Sequence, residues 1–361
     1  MNNKVKKVIV IFFVLSCFWT ILSAESKKSK KSSLNKKNCD TVAKNDKEVF
    51  QIVCTSFPQY DWVMNILGDE KNAAKKFEVT LLQDNGTDMH SYQPSVKDIA
   101  KISSCSLFVY AGGESDSWVE KILKNATNKK MICVNLVELL GEKAKQEEIV
   151  EGMQIDEHDE HDEHNTRHNP YEKNHEHEND DEIEYDEHVW LSLKNAAYYI
   201  EEICKNLCFL DNENSDVYKQ NAASYKEKIL ALDKKFSDMV KNAQRKTILF
   251  ADRFPFRYLT DDYGLQYFAA FAGCSAESEA SFETITFLAK KTDELLLPCV
   301  LILENSDGKI AKTVISSTKN KNQLILQLDS LQSVTKNEIQ SGKNYLSIME
   351  KNFEVLQKAL N

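Results

Sequence analysis

Histidine is unevenly distributed in this chain, and its distribution indicates metal binding. Six of the eight histidines lie within one acidic tract of twenty residues. These are His158, His161, His164, His168, His175 and His177. Imidazole is the commonest metal-binding side chain and is largely neutral near pH 7, and the interspersed carboxylates supply oxygen ligands. We therefore predict an auxiliary, low-affinity metal-binding loop; a merely solvated linker is the alternative, because acidic runs are commonly only that.

The other two histidines lie outside this tract. His90 follows an apolar run in LLQDNGTDMHSYQPSVKDI, and His188 precedes a helical pattern in YDEHVWLSL. Asp252 in TILFADRFPFRYL and Asp329 in LILQLDSLQS also follow apolar runs. Because ligands bind beyond the carboxyl ends of strands in open α/β sheets, we predict that the four residues form one metal site. The alternative for both aspartates is a helix cap, and Asp252 could equally pair with Arg253.

The elements that must position these residues alternate along the chain. Short β-rich runs are separated by stretches of helical periodicity, which predicts parallel sheets covered by helices. The predicted strands are 50–54, 77–82, 106–112 and 131–136 in the first half, and 247–251, 265–271, 299–304 and 323–328 in the second. Residues 212–243 give the longest helical pattern, without Gly or Pro. We predict two α/β lobes joined by one long rigid helix, with the metal in the interlobe cleft.

The start of the chain predicts export. Lys4, Lys6 and Lys7 precede an apolar run, as in a secretory signal. A lipobox-like segment ends at Cys17, whose lipidation we favour, whereas cleavage after Ala24 and a membrane-spanning anchor are the alternatives. The predicted divisions are an export signal at 1–24, a Lys/Ser-rich flexible tether at 25–48, an N-terminal lobe at 49–210 with a disordered His-rich acidic loop at 151–187, a connecting helix at 211–244 and a C-terminal lobe at 245–361.

Charge and composition restrict the classes of function. The net charge is −10, and residues 151–187 hold sixteen Asp and Glu against one Arg and one Lys. Residues 1–37 are basic, so the remainder is only weakly acidic and has no basic face for nucleic acid. The sequence contains no HExxH motif, which argues against a metallohydrolase of that type.

Cysteine is abundant for an exported chain. Apart from Cys17 there are eight cysteines, which allow disulfides that the sequence cannot pair. Four lie in apolar runs and are predicted to be small buried hydrophobes, and two are one helical turn apart and are predicted to be neighbours. The first group is Cys54, Cys105, Cys133 and Cys299, and the second is Cys204 and Cys208. Because no CxxC pair occurs, thiolate coordination of a metal is the minor hypothesis.

Several of these segments resemble the solute-binding proteins of zinc and manganese ABC transporters. The resemblance is carried by GTDMHSYQPS, DEHVWLSLKNA, YKQNAASYKEKILALD and NYLSIMEKNFEVLQKAL, and it extends from about residue 50 to 360. It implies a two-lobed fold and metal ligands at His90, His188 and Asp329. Zinc-type members often carry a His-rich acidic insertion before the second histidine, as this chain does. The implied function is non-enzymatic: high-affinity capture of Zn²⁺ by an extracytoplasmic monomer, periplasmic or lipid-anchored, which delivers it to a permease in the cytoplasmic membrane.

The sequence departs from the family pattern at one ligand. The position usually held by a third His or Glu falls on Arg253, whose guanidinium cannot bind a metal. Asp252, Glu277, Glu279 or a water molecule could take that place. Two imidazoles with carboxylate favour Zn²⁺, whereas replacing an imidazole by carboxylate favours the harder Mn²⁺. The alternatives are therefore a manganese-binding protein of the same type, or a secreted protein for metal buffering or attachment.

Overall fold

The computed structural model describes residues 49–68, 76–154, 184–275 and 279–361. The predicted export signal and tether, the six histidines of the tract and Glu277 lie outside the described residues. Among the residues that are described, no helix combines the length and the apolar character needed to cross a membrane.

The first sheet is parallel and has four strands. These are β1 (Phe50–Cys54), β2 (Phe77–Leu81), β3 (Leu107–Tyr110) and β4 (Ile132–Asn135). Their order is β2-β1-β3-β4, and every neighbouring pair is parallel. The central strand β3 is buried at all four positions, which explains its uninterrupted apolar run.

The second sheet repeats this arrangement. It contains β5 (Thr247–Phe254), β6 (Gln266–Ala272), β7 (Cys299–Leu303) and β8 (Leu324–Leu328), in the order β6-β5-β7-β8. All its neighbouring strands are parallel. β7 is buried throughout, as expected of a central strand covered on both faces.

Helices cover both sheets. Those of the first half are α1 (Phe57–Leu67), α2 (Val96–Ser104), α3 (Trp118–Lys124), α4 (Leu136–Leu140) and α5 (Leu193–Leu210). Those that follow are α6 (Ser215–Asn242), α7 (Arg257–Tyr263), α8 (Phe282–Glu294), α9 (Lys309–Ser317), α10 (Lys336–Gln340) and α11 (Tyr345–Leu360). α4, α7 and α10 were not predicted, because segments of five to seven residues are too short to establish a helical period.

The long helix α6 connects the two halves. Its 28 residues correspond to about 42 Å at ~1.5 Å per residue. One face is buried against the core through residues such as Tyr218, Tyr225 and Phe236. The last helix, α11, packs back on the first half, where Tyr345 stacks edge-on against Trp62 at 5.5 Å. α6 itself contacts both lobes: the Tyr225 hydroxyl donates to Asp61 of the first at 2.6 Å, and Phe236 stacks on Tyr263 of the second at 5.3 Å.

Both ends of the acidic segment at 151–187 are ordered, in contrast to the prediction that the whole of it is a disordered loop. Met153 is buried, and the backbone N–H of Gln154 donates to the carbonyl of Ala270 at 2.9 Å. At the other end, Asp186 and Glu187 are buried. The acidic composition of the segment gives no sign of these contacts.

Candidate metal centre

His90 lies in a short 3₁₀ turn, Met89–Ser91, after β2. Asp88 caps this turn by accepting the backbone N–H of His90 at 3.1 Å. The ring Nδ1 of His90 is 2.8 Å from the hydroxyl of Ser115. With the proton on Nδ1, that nitrogen donates to Ser115 and leaves the Nε2 lone pair free. Burial, together with the charges of His188 and Arg253, lowers the pKa of His90 to about 3, so the ring is neutral.

His188 is fully buried at the start of the 3₁₀ turn Val189–Leu191. Its backbone N–H and its ring Nδ1–H both donate to one carboxylate oxygen of Asp186, at 2.8 and 2.9 Å. Burial opposes protonation of this ring, but Asp186 outweighs it and the pKa of His188 is raised. A carboxylate on Nδ1 orients the ring and increases the basicity of Nε2, as is usual for metal-bound histidines.

The two rings face each other through their Nε2 atoms. Nε2 of His90 is 3.2 Å from Nε2 of His188. Two nitrogens bound to one tetrahedral Zn²⁺ at ~2.1 Å are about 3.4 Å apart. The imidazole pair is therefore already at the separation that a shared metal ion requires.

A third donor, Cys274, completes the cluster. One ring nitrogen of each histidine and the Sγ of Cys274 all lie within 4.8 Å of one another. Gly273 makes this approach possible: a Cβ there would be 3.1 Å from the ring Cε1 of His188 and 3.0 Å from the carbonyl of Phe254. The backbone N–H of Cys274 donates to Glu147 at 3.0 Å, which anchors the loop after β6.

Carboxylates surround this cluster. Glu187 accepts the backbone N–H of Ser115 at 2.6 Å, and its other oxygen lies 3.9 Å from Nδ1 of His90. Burial raises the pKa of Glu187 to about 7, and burial with neighbouring carboxylates does the same for Glu184. Burial and the carboxylates, Glu147 first among them, also raise the pKa of the Cys274 thiol. The anionic surroundings favour a divalent cation at the three donors.

Asp329 does not join this cluster in the described part of the chain. It follows β8 as predicted, but one carboxylate oxygen is 3.0 Å from the ammonium of Lys343. The other accepts the backbone N–H of Leu331 at 2.9 Å, which holds a turn in which Leu331 has a φ of 64°. Its carboxylate is thus paired with a cation and with backbone.

Asp252 and Arg253 are also engaged elsewhere. Asp252 does not follow the strand: β5 continues to Phe254, with a shift of register between Phe250 and Arg253. The Asp252 carboxylate accepts the backbone N–H groups of Arg253 at 2.9 Å and Leu303 at 3.4 Å. The Arg253 guanidinium lies 2.6 Å from Asp88, so it forms an ion pair between the lobes.

The remaining third-ligand candidate that the structure describes, Glu279, is not part of the cluster either. Cys274 was not predicted as a ligand, because it is not part of a CxxC pair. The available signal was its position two residues after β6, which is the kind of site that drew attention to Asp329.

The other described cysteines are free. Cys54, Cys105 and Cys299 are buried as predicted, whereas Cys133 is exposed, contrary to prediction. Cys204 and Cys208 are neighbours, with their sulfurs 3.9 Å apart.

Comparison with known proteins gives one consistent match. A family model described as "Zinc-uptake complex component A periplasmic" matches residues 52–359. The zinc-binding protein AdcA of Streptococcus pyogenes is 30% identical over 308 residues, which cover 85% of this chain and 55% of AdcA. The chain thus spans about half the length of this relative. The high-affinity zinc uptake system protein ZnuA of Bacillus subtilis is 27% identical over 350 residues, 97% of each chain.

Solved structures share the fold. The Zn(II)-bound ZnuA-like domain of Streptococcus pneumoniae AdcA has a TM-score of 0.63 and 26% identity, covering 87% of this chain and 99% of the domain. The metal-dependent lipoprotein YcdH of Bacillus subtilis has a TM-score of 0.65 and 25% identity, covering 86% and 99%. These matches and the two parallel sheets confirm the predicted two-lobed α/β fold.

Proposed function

Because this chain belongs to the family of periplasmic zinc-uptake components, as the sequence resemblance predicted, we propose that it captures Zn²⁺ outside the cytoplasm and delivers it to an ABC-type permease in the cytoplasmic membrane. The observation that carries the proposal is the separation of 3.2 Å between the Nε2 atoms of His90 and His188. The family consists of solute-binding transport proteins rather than enzymes, and the proposed role is to bind an ion reversibly.

Zinc is the proposed cargo for chemical reasons. Imidazole nitrogen is a borderline ligand that suits Zn²⁺, and a site of given ligands binds Zn²⁺ more tightly than Mn²⁺. Asp186 contacts one imidazole through Nδ1 and Ser115 contacts the other through Nδ1, so the Nε2 atom of each ring is left facing the other ring. Zinc is also the metal that the names of AdcA and ZnuA specify for those relatives.

We place the protein on the outer face of the cytoplasmic membrane, as a monomer that is either periplasmic or anchored by a lipid on Cys17. The lipobox-like segment supports the anchor, as does the description of YcdH as a lipoprotein. Incorporation of a labelled fatty acid in cells tests this placement. A Cys17→Ala variant should lose the label, whereas labelling that persists in this variant would reject the anchor.

The zinc-binding proposal is tested by removing both imidazoles. His90→Ala with His188→Ala should weaken tight Zn²⁺ binding by at least ~100-fold, because even loss of residues that only support metal ligands costs 10–100-fold. The measurement is competition against a chelator of known affinity. Unchanged tight binding in the double variant would reject the site.

The acidic tract provides the matched control. Deletion of residues 155–183 removes all six tract histidines and spares Met153 and Gln154, which pack against the body. The deletion should keep the tight site and lose only weak additional equivalents. Loss of tight binding on deletion would instead favour a metal-buffering protein in which the tract is the main site.

A further inference from the structure

We propose that the sulfur of Cys274 is the third ligand of the metal held by His90 and His188, and that this thiolate sets the preference for Zn²⁺ over Mn²⁺. The inference rests on the proposed function in that it takes the histidine pair as the cargo site. It adds a ligand from the C-terminal half of the chain, and with it the chemical basis of selectivity.

The geometry of the three donors supports a shared ion. Sγ of Cys274 and one nitrogen of each ring lie within 4.8 Å of one another. With Zn–N near ~2.1 Å and Zn–S near ~2.3 Å, a nitrogen and a sulfur on one tetrahedral zinc are about 3.6 Å apart. The upper limit of 4.8 Å is about 1 Å longer than this, which a rotation of the cysteine side chain can supply.

The backbone around Cys274 is built to hold the sulfur there. Gly273 lies directly against the ring of His188, and a side chain at this position would be only 3.1 Å from that ring. On the other side, Glu147 accepts the backbone N–H of Cys274 at 3.0 Å. These two contacts place the loop after β6 beside the histidines.

Two other polar residues of the C-terminal half near the predicted site are already paired. Arg253 carries a positive charge and is bound to Asp88 at 2.6 Å. Asp329 is bound to Lys343 at 3.0 Å. Among the residues that the structure describes, Cys274 is therefore the donor that the C-terminal half contributes to the cluster. The proposed ligand set is two nitrogens and one sulfur, with a fourth position open to water.

Metal binding at this set releases a proton. The Cys274 thiol gives its proton to solvent, and its sulfur forms a bond to Zn²⁺ without any change of oxidation state. The bound complex then carries one positive charge, which the carboxylate of Asp186 on Nδ1 of His188 offsets. Thiolate is a soft ligand that suits zinc, whereas Mn²⁺ prefers oxygen ligands, so the sulfur discriminates between the two ions.

The test uses Co²⁺ in place of Zn²⁺ in the full-length, reduced protein. The wild-type complex should show the intense near-ultraviolet band of sulfur-to-cobalt charge transfer. Cys274→Ser should lose this band and keep the weaker visible bands of histidine-bound cobalt. Its Zn²⁺ affinity should fall at least ~10-fold, and its affinity for Mn²⁺ should fall less, which narrows the preference for zinc. Cys133→Ser, at an exposed cysteine outside the cluster, is the matched control and should resemble the wild type.

Two outcomes separate this inference from the proposed function. If tight Zn²⁺ binding requires the histidines but is unchanged in Cys274→Ser, the sulfur ligand is rejected and the transport role stands. If the double histidine variant binds Zn²⁺ as tightly as the wild type, the proposed function itself is rejected.

If Cys274→Ser does not fold, the inference is tested on the wild-type protein by alkylation of cysteines, mapped by mass spectrometry. Zinc should protect Cys274, but not Cys133, from alkylation. Equal alkylation of Cys274 with and without zinc would overturn the inference.

Discussion

The donor cluster of His90, His188 and Cys274 and the ion pair of Asp329 with Lys343 are both formed by polar residues near the ends of strands, yet only the first is available to a metal ion. In the cluster, the Nδ1 atom of each ring is bonded to Ser115 or to Asp186, and the two Nε2 atoms face each other. In the ion pair, the ammonium of Lys343 lies 3.0 Å from a carboxylate oxygen of Asp329.

This difference shows that ligand chemistry depends on the partners of a side chain as well as on its type. Asp329 has a suitable ligand atom in a suitable place along the chain, but a metal ion would have to displace Lys343 from it. The two histidines have partners that strengthen them as ligands. Asp186 is the clearest example, because its charge orients His188 and increases the electron density on Nε2.

The largest expected change in Zn²⁺ affinity comes from removing Asp186, the carboxylate that orients His188 in the cluster. Asp186→Ala leaves the buried Nδ1–H of His188 without an acceptor, so the Zn²⁺ affinity should fall by up to ~100-fold. Asp186→Asn is the matched control. Because it keeps an acceptor oxygen, its Zn²⁺ affinity should fall less than that of Asp186→Ala. Competition titration with a chelator measures both. If a folded Asp186→Ala protein bound Zn²⁺ as tightly as the wild type, the contact with Asp186 would not be needed to orient His188 for metal binding.

An intermediate effect is expected beside the ion pair, where the partly buried Glu304 accepts both the backbone N–H and the hydroxyl of Ser330. Burial, and then Asp329, raise its pKa to about 7. The folded state therefore retains the proton that an unfolded glutamate loses near pH ~4.3. This contribution to stability is full below that pH and is lost as pH rises through about 7.

The variant Glu304→Gln tests the predicted loss of stability with rising pH. Because glutamine cannot ionise, the variant should gain stability relative to the wild type between pH 5 and 8 (~1–2 kcal/mol). The measurement is the free energy of unfolding of the metal-free protein at a series of pH values. Parallel pH profiles for the two proteins would contradict a raised pKa at Glu304.

The smallest expected effect comes from the paired aspartate itself. Asp329→Asn should change Zn²⁺ affinity by less than a few-fold, and loss of its partly buried ion pair should cost about 0.5–1 kcal/mol of stability. Lys343→Met is the companion variant, because it frees the carboxylate. A loss of affinity in Asp329→Asn as large as that of the double histidine variant would return Asp329 to the ligand set.

Much of the fold was predictable because the apolar pattern is local. The predicted strands coincide with β1 to β8 to within a few residues, since buried parallel strands are nearly continuous apolar runs. The long helix was evident from its 3.6-residue periodicity. The end of β5 was not predictable, because its polar residues Asp252 and Arg253 interrupt the apolar pattern while the backbone pairing continues at a shifted register.

The site was predictable only in part. The residue type and context of His90 and His188 marked them as ligands, and the structure brings them together. Cys274 carried a weaker signal, since a single cysteine after an apolar run is more often a buried hydrophobe. The pairing of Asp329 with Lys343 and of Arg253 with Asp88 left no local trace.

By itself, the amino-acid sequence determined the alternation of strands and helices, the family resemblance and two of the three donors of the cluster, because each of these depends on neighbouring residues and short spacings. Only the tertiary structure decided which ligand atoms remain available. Arg253 meets Asp88 from the other lobe, and the loop of Cys274 packs against His188 through a glycine. Such contacts join residues far apart in the chain, so they arise from the packing of the two lobes and have no periodicity in the sequence.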